Sequence, residues 1–166
     1  MQIRTARLTD AEAIRGIYNG AIGTIATFDL EPRTLEQQRE WLAQRSGAHV
    51  VLVADDNGSL AGFASLSPYR DRPAYRTTVE NSVYVDPAQQ GKGVGRQLMT
   101  ELLDTARDHG FHSVIARIVS SNASSIALHR GVGFETVGVE REVGRKLGKW
   151  LDVVVMQRML GSRVIL

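Results

Sequence analysis

The sequence predicts a mixed α/β sandwich around one mostly antiparallel sheet, and three observations carry that reading. Periodic segments follow one another in the order β-α-α-β-β-β-α-β-α-β-β, which mixes hairpins with helical crossovers. Asp56-Asn57-Gly58 lies between two apolar runs and is a hairpin turn, because Asn-Gly tolerates positive φ. A run rich in β-formers, Val83-Tyr84-Val85, stops at Asp86-Pro87, and the glycines Gly91, Gly93 and Gly95 lead directly into an amphipathic helix.

The elements can be justified in order. Met1 to Ala6 alternates as a first strand does. Thr9 and Glu12 have capping-box spacing ahead of Ala13, Ile14, Ile17, Tyr18 and Ala21, which recur at helical intervals until Gly20 and Gly23 break the helix. Thr34 and Gln37 announce a second capped helix carrying Leu35, Trp41 and Leu42 inward and ending near Gly47. His49 to Ala54 and Leu60 to Leu66 form the hairpin arms, and two prolines keep Pro68 to Tyr75 irregular. Arg76 to Val85 is a long central strand. Val94, Leu98, Leu102 and Ala106 then stack down one helix face, with Gly110 at C′. Ser113 to Ile118 is a buried strand, and Asn122 to Arg130 a short helix closed by Gly131-Val132-Gly133. Phe134 to Val143 and Trp150 to Met159 alternate as an antiparallel pair joined by a basic loop, Gly144 to Lys149.

The chain has 166 residues, which suits one domain over residues 1–160 and a short tail, 161–166. There are 20 basic and 18 acidic residues, and no Lys/Arg stripe interleaved with aromatics, so nucleic acid is not the expected partner. Without cysteine there is no disulfide framework, thiolate metal site or cysteine acyl-enzyme, and no metal is expected. No apolar run reaches the ~18 residues of a membrane span and no signal segment opens the chain, so no membrane association and a cytoplasmic location are expected.

The glycine stretch fits an anion grip, since bare backbone can approach phosphate oxygens where a helix dipole favours negative charge. A nucleotide-binding Walker loop requires a glycine where Asp86 stands and Ser or Thr directly after Gly91-Lys92, where this chain has Gly93. The dinucleotide fingerprint fails too, with Arg96 or Leu98 at the third glycine. What remains is Gln90-x-x-Gly93-x-Gly95 between a central strand and a helix, or else a glycine-rich turn without a ligand.

Gln90-x-x-Gly93-x-Gly95 resembles the coenzyme A pyrophosphate loop of the GNAT-type N-acetyltransferases, and Asn122 with Leu128-His129-x-x-x-Gly133-Phe134 resembles that family's following helix. The resemblance implies the GNAT acyl-CoA N-acyltransferase fold, an α/β (α+β) arrangement with helices on both faces of a sheet whose central strands splay, the slot beginning near Ile118. It implies acetyl-CoA as co-substrate, held by Val83, Val85, Gln90, Gly91, Lys92, Gly93, Val94, Gly95, Arg96, Asn122 and Ser125. Thr27-Phe28-Asp29, Ala74-Tyr75-Arg76, Thr78-Val79-Glu80, Ser82-Val83-Tyr84-Val85 and Gly148-Lys149-Trp150-Leu151-Asp152 are similar to the phosphinothricin and methionine sulfoximine (sulfone) acetyltransferase branch. Leu147, Lys149 and Thr77 depart from that branch, where Phe, Arg and a Trp, Tyr or Gly are common. A homodimer joined near the last strands is a further implication.

With no cysteine, direct attack by the acceptor amine on the thioester is the simple route. An amine of pKa near 9 is only about 1% free base at pH 7, a deficit of roughly 2.7 kcal/mol. A positioned base offsets it, and Glu80 on the strand entering the loop is the candidate; the alternative is an ion pair with Arg76 or Arg117. The Val85 amide is a candidate oxyanion donor, and His129 or Tyr84 a candidate acid toward the leaving thiolate. Arg70, Arg72 and Arg76 with Tyr75, and Lys146 from the basic loop, are candidates for clamping an anionic acceptor, with Phe28 as an apolar wall. The alternatives are a non-catalytic acyl-CoA-binding module, or an acetyltransferase for a protein N-terminus or an aminoglycoside.

Overall fold

The computed structural model describes residues 1–45 and 47–161; of the expected tail, 162–166 lie outside the described residues. Among those residues seven strands form one sheet: β1 (Gln2–Thr5), β2 (Val51–Asp56), β3 (Ser59–Pro68), β4 (Thr78–Val85), β5 (Ser113–Val119), β6 (Glu135–Lys146) and β7 (Lys149–Met159). Their order is β1-β2-β3-β4-β5-β7-β6, and every pairing is antiparallel except β4–β5. That parallel pair needs a long crossover, supplied by α3 (Val94–Asp108). The other helices are α1 (Ala11–Ile22), α2 (Leu35–Ala43) and α4 (Ala123–Gly131).

Alternation along the strands builds two cores. Val51, Val53 and Phe63 face α1 and α2, where Ile14, Tyr18 and Leu42 meet them. Leu52, Ala54, Ala64, Leu66 and Val79 face the opposite side, where α3 and α4 pack. The four-residue stripe of α3 is Val94, Leu98, Leu102 and Ala106, none more than 3% exposed, as its spacing predicts. The helix closes with the Gly110 amide donating to Arg107 O and the Phe111 amide to Ala106 O, both 3.0 Å.

Two β4–β5 features position everything that follows. Pairing holds only at Thr78↔Ser113, Val79↔Val114 and Glu80↔Ile115, after which the strands part. The opening therefore begins at Ala116, two residues before the Ile118 that the family resemblance implies. On the other side of β4, Gly62 lets α3 close in: a Cβ there would stand 2.7 Å from Tyr84 O and 3.2 Å from Leu98 Cδ1.

Several local expectations need correction. Glu12 does not cap α1; it pairs with Arg15 at 2.6 Å. Asp10 instead accepts from the Arg7 amide (2.7 Å) and from Arg4 (2.8 and 2.9 Å), so a 3₁₀ turn over Leu8–Asp10 precedes the helix. Gly20 does not stop α1, which runs through it to Ile22. The Thr34–Gln37 capping box does form, with hydrogen bonds of 2.9 and 3.2 Å. The basic segment 144–149 is not a loop: β6 and β7 continue to Lys146 and from Lys149, leaving a two-residue turn in which Leu147 and Gly148 have φ of 53° and 73°.

Gly62→Ala should cost about 1–3 kcal/mol through the forced clash with β4 and α3. Urea denaturation of the variant measures this, and an unchanged midpoint would show that the close approach carries no weight.

Candidate active site

Backbone geometry dictates the donor side. The Asp86 amide donates to Ala61 O at 2.9 Å. With the register Gly62↔Val85 and Phe63↔Tyr84, the narrow hydrogen-bonded pairs along β4 are those of Tyr84, Ser82 and Glu80. The N–H and C=O groups of Val83 and Val85 consequently face the gap that β5 has left. Gln90 Nε2 reaches the Val85 carbonyl at 3.3 Å, and the Val85 amide remains directed at the gap.

Below the gap lies a cavity of about 440 Å³, lined by Val83, Val85, Gln90, Gly93, Arg96 and Asn122 among others. Gly91 and Gly93 have φ of 77° and 81°, which a side chain would resist. The first intrahelical bond of α3 runs from the Gln97 amide to Gly93 O (3.1 Å), so the amides of Val94, Gly95 and Arg96 have no intrahelical acceptor. They form the anion-ready helix start that the sequence predicts. Gly95 faces Leu128 of α4, whose Cδ2 would lie 3.0 Å from an added Cβ, so α4 can close the cavity wall. Gly131 likewise gives way to the Arg96 guanidinium, 2.8 Å from the place of its missing Cβ. Asn122 caps α4 by accepting from the Ser125 amide (3.3 Å) and Ser124 Oγ (3.1 Å). Lys92 is the exception among the expected donor contacts. Its ammonium is tied to Ala88 O and Gln89 Oε1 at 3.0 and 3.1 Å, and its side chain lies outside the cavity lining.

A second, smaller cavity of about 220 Å³ adjoins the first, sharing Ala26, Val83, Tyr84, Asn122 and Ser125. Glu80 stands in its wall at the fork of β4 and β5. The expected rival ion pair does not form: Arg117 pairs with Glu140 at 2.7 Å. Among the described residues no hydrogen bond or ion pair engages the Glu80 carboxylate, and burial raises its pKa while Arg117 partly offsets that and Glu140 adds to it. Tyr84 is half-buried between Phe63 and Tyr18, ring centroids 5.3 and 5.2 Å away. Burial pushes its hydroxyl up, with a hydrogen bond to Thr27 pulling the other way, so it stays protonated.

His129 lines this cavity but is not placed to deliver a proton. Its Nδ1–H donates to Ser125 O at 2.7 Å, so Nε2 is the acceptor, receiving the Asn81 amide at 2.9 Å. The ring is 2% exposed, burial lowers its pKa, and it meets Phe134 edge-on at 5.0 Å. Both nitrogens are committed, and the expectation of a catalytic acid here gives way to that of a bracket between β4 and α4.

The acceptor-side expectations divide. Phe28 does form an apolar wall, its ring seated on Gly144, where an added Cβ would stand 2.6 Å from Cζ. Lys146 does not reach the cavity as a clamp. It is buried, and its ammonium donates to Thr27 O (2.7 Å) and Asp29 O (2.9 Å), pinning the loop that carries Phe28. Tyr18 adds to that pin by hydrogen bonds to Thr27 Oγ1 (2.9 Å) and Asp29. Arg70, Arg72 and Arg76 are exposed and line neither cavity, and Arg70 lies over the Tyr69 and Tyr75 rings at 4.9 and 5.7 Å. Closeness to Glu80 in sequence does not make them line its cavity: they lie on the irregular stretch and 3₁₀ turn (Pro73–Tyr75) that precede β4. Unforeseen wall residues are Ile25 to Thr27 and Asn81, none of which carries a local chemical signature.

Strands parted beside a helix start with free amides, next to a pocket whose carboxylate has no partner among the described residues, are the geometry of a group-transfer enzyme. The acetyltransferase (GNAT) domain family matches residues 3–155. The chain is 42% identical over 165 residues to the L-amino acid N-acyltransferase MnaT of Escherichia coli, spanning 98% of this chain and 96% of that protein. Identity is also 42% over 158 residues to an L-methionine sulfoximine/L-methionine sulfone acetyltransferase of Pseudomonas aeruginosa, spanning 93% and 92%. A phosphinothricin acetyltransferase from Sinorhizobium meliloti, solved in complex with AcCoA, superposes with a TM-score of 0.92 at 37% identity, covering 96% of this chain and 88% of that one. The chain therefore belongs to the GNAT acetyltransferases.

Lys146→Met should free the Phe28 loop, costing about 1–3 kcal/mol of stability and raising the acceptor KM while acetyl-CoA affinity stays put. Thermal melts, steady-state kinetics and calorimetric titration with acetyl-CoA check the three parts.

Proposed function

We propose that residues 1–160 act as a single N-acetyltransferase domain in the cytoplasm, transferring acetyl to the α-amino group of a small amino-acid analogue such as methionine sulfoximine, methionine sulfone or phosphinothricin. The observation that carries this reading is Glu80: a half-buried carboxylate without a partner among the described residues, in the wall of the acceptor cavity at the fork of β4 and β5. The names of the relatives supply the substrate class, and the small volume of the acceptor cavity favours it over an aminoglycoside.

Acetyl-CoA supplies the acetyl group as a thioester. The α3 amides with Gly91 and Gly93 fit its pyrophosphate, and the outward groups of Val83 and Val85 fit an extended amide-bearing arm. The Val85 amide donates toward the thioester oxygen as charge develops there. Glu80 accepts the proton of the acceptor ammonium or amine, directly or through one water. Tyr84, kept protonated by burial, is the donor toward the sulfur.

The same reading includes a homodimer. Edge strand β6 exposes Val137, Val139 and Val143 at 50–62%, and Trp150 of β7 is 59% exposed. An apolar edge of this kind is normally covered. Val139→Asp should shift sedimentation to that of a monomer; a monomeric parent protein would remove the dimer from the reading.

Glu80→Gln should lower kcat at neutral pH about 10²–10⁴-fold while leaving the acetyl-CoA Kd near that of the parent. The base works ionised, so kcat should fall as pH drops through the raised Glu80 pKa, above the ordinary 4.5. That acid limb should vanish in the variant. Equal rates for both proteins across pH would remove Glu80 from the chemistry.

A further inference from the structure

A third, smaller cavity of about 120 Å³, the space of roughly four waters, lies on the α1–α2 face of β3 and β4. Its floor comes from register: Ser67 opposes Glu80, Ser65 opposes Ser82, and Phe63 opposes Tyr84. Alternation therefore sets the three serines on the same face as the Glu80 carboxylate. Ser82 and Tyr84 line this cavity and the Glu80 cavity alike, so the two share a wall.

Its upper side is cationic. The Arg33 guanidinium lies 3.8 Å from the Tyr18 ring centroid and 5.1 Å from that of Trp41. The Arg45 guanidinium lies over the Trp41 ring, 4.1 Å from its centroid, and donates to Ser67 Oγ at 3.3 Å. Arg33 has a partial counter-charge in Asp29 (3.5 Å) and a contact with Gln38 Oε1 (3.3 Å). Arg45 has no carboxylate within ion-pair distance among the described residues, and its buried Nε has no acceptor. Gln38 is fully buried, and its Nε2 also lacks an acceptor. Burial, with Arg33 beside it, pushes Arg45 down to about 10. Two guanidiniums gathered around one tryptophan, with surplus donors and hydroxyls below, form a costly arrangement that a bound anion relieves.

We propose that Arg33 and Arg45, with Ser65, Ser67 and Ser82, form a subsite for a carboxylate or similar oxoanion, and that the acidic head of the acceptor occupies it while its amine faces Glu80. The inference rests on the acetyltransferase reading above for the identity of the acceptor, and on the cavity itself for the anion. Bidentate recognition by arginine gives the subsite its selectivity for planar acids.

Two readouts separate these parts. The first compares methionine sulfone with its carboxamide as acceptor for the parent protein and Arg45→Gln. The KM for the acid should rise about ten- to hundredfold in the variant, the loss of a charge-assisted hydrogen bond, while kcat, the KM of the amide and the acetyl-CoA Kd change less than about twofold. Arg45→Lys, which keeps the charge without the fork, should fall between, and melting curves establish that each variant folds. Equal effects on acid and amide, or none, would overturn the subsite. The second readout is Trp41 fluorescence in a Trp150→Phe background, titrated with methionine sulfone, acetate and inorganic phosphate. A saturable response to the acid, absent with the amide and lost in Arg45→Gln, supports the subsite even if neither amine is acetylated, in which case the substrate reading fails alone. Acetate or phosphate competing with methionine sulfone supports a site shared by free and attached anions. Phosphate binding without competition would overturn the acceptor's claim on it, and a silent Trp41 with every anion would overturn the site.

Discussion

The parting of β4 from β5 after Glu80 and Ile115 is the constraint on which the rest of the molecule depends. Buried backbone groups demand partners, and a closed ladder would have satisfied Val83 and Val85 within the sheet. The opening leaves them for a ligand instead, at the cost of strand pairing in the middle of the fold. That cost is offset on both flanks. β3 and β4 pair over seven positions, and β5 and β7 over another seven. Gly62 draws α3 onto this reinforced edge, so the free amides at its first turn arrive at the mouth of the gap.

The two faces of β4 then take different duties. Val83 and Val85 pack with the α3 core, and their backbone groups face the gap. Glu80, Ser82 and Tyr84 point the other way, toward the acceptor side beneath α1 and α2. Residues between the two duties are locked: His129 spends both nitrogens on Asn81 and Ser125, and Arg117 is paired with Glu140. Glu80 is left as the carboxylate with freedom to exchange a proton, because its neighbours are already bound to one another.

What was legible in the sequence was what local physics writes there. Gly93 marks a left-handed backbone, Asn122 a helix cap, Asn57-Gly58 a tight turn, and the Val94–Ala106 stripe a buried helix face. Each is decided within a few residues. Contacts across the chain were not legible. Nothing beside Lys146 says that its partners are the carbonyls of Thr27 and Asp29, or beside His129 that Asn81 waits for it. Thr9 and Glu12 had the right spacing for a cap, but Arg4 on β1 holds Asp10 and resets the helix entry. The arginines of 70–76 stood out because they cluster in sequence, whereas Arg33 and Arg45, on either side of α2, converge only after that helix has folded over Trp41.

The tether from Lys146 to Thr27 spans 119 residues of chain. Ribosomes make proteins from the amino end, so the strands and helices that grip the donor exist before the last hairpin has been made. During that interval the loop bearing Phe28 has no ammonium to fasten it and no Gly144 to rest on. A nascent or prematurely ended chain would thus lack the β7 partner of β5 as well as the fastened loop, and a finished pocket for the amine waits on the last stretch that synthesis supplies.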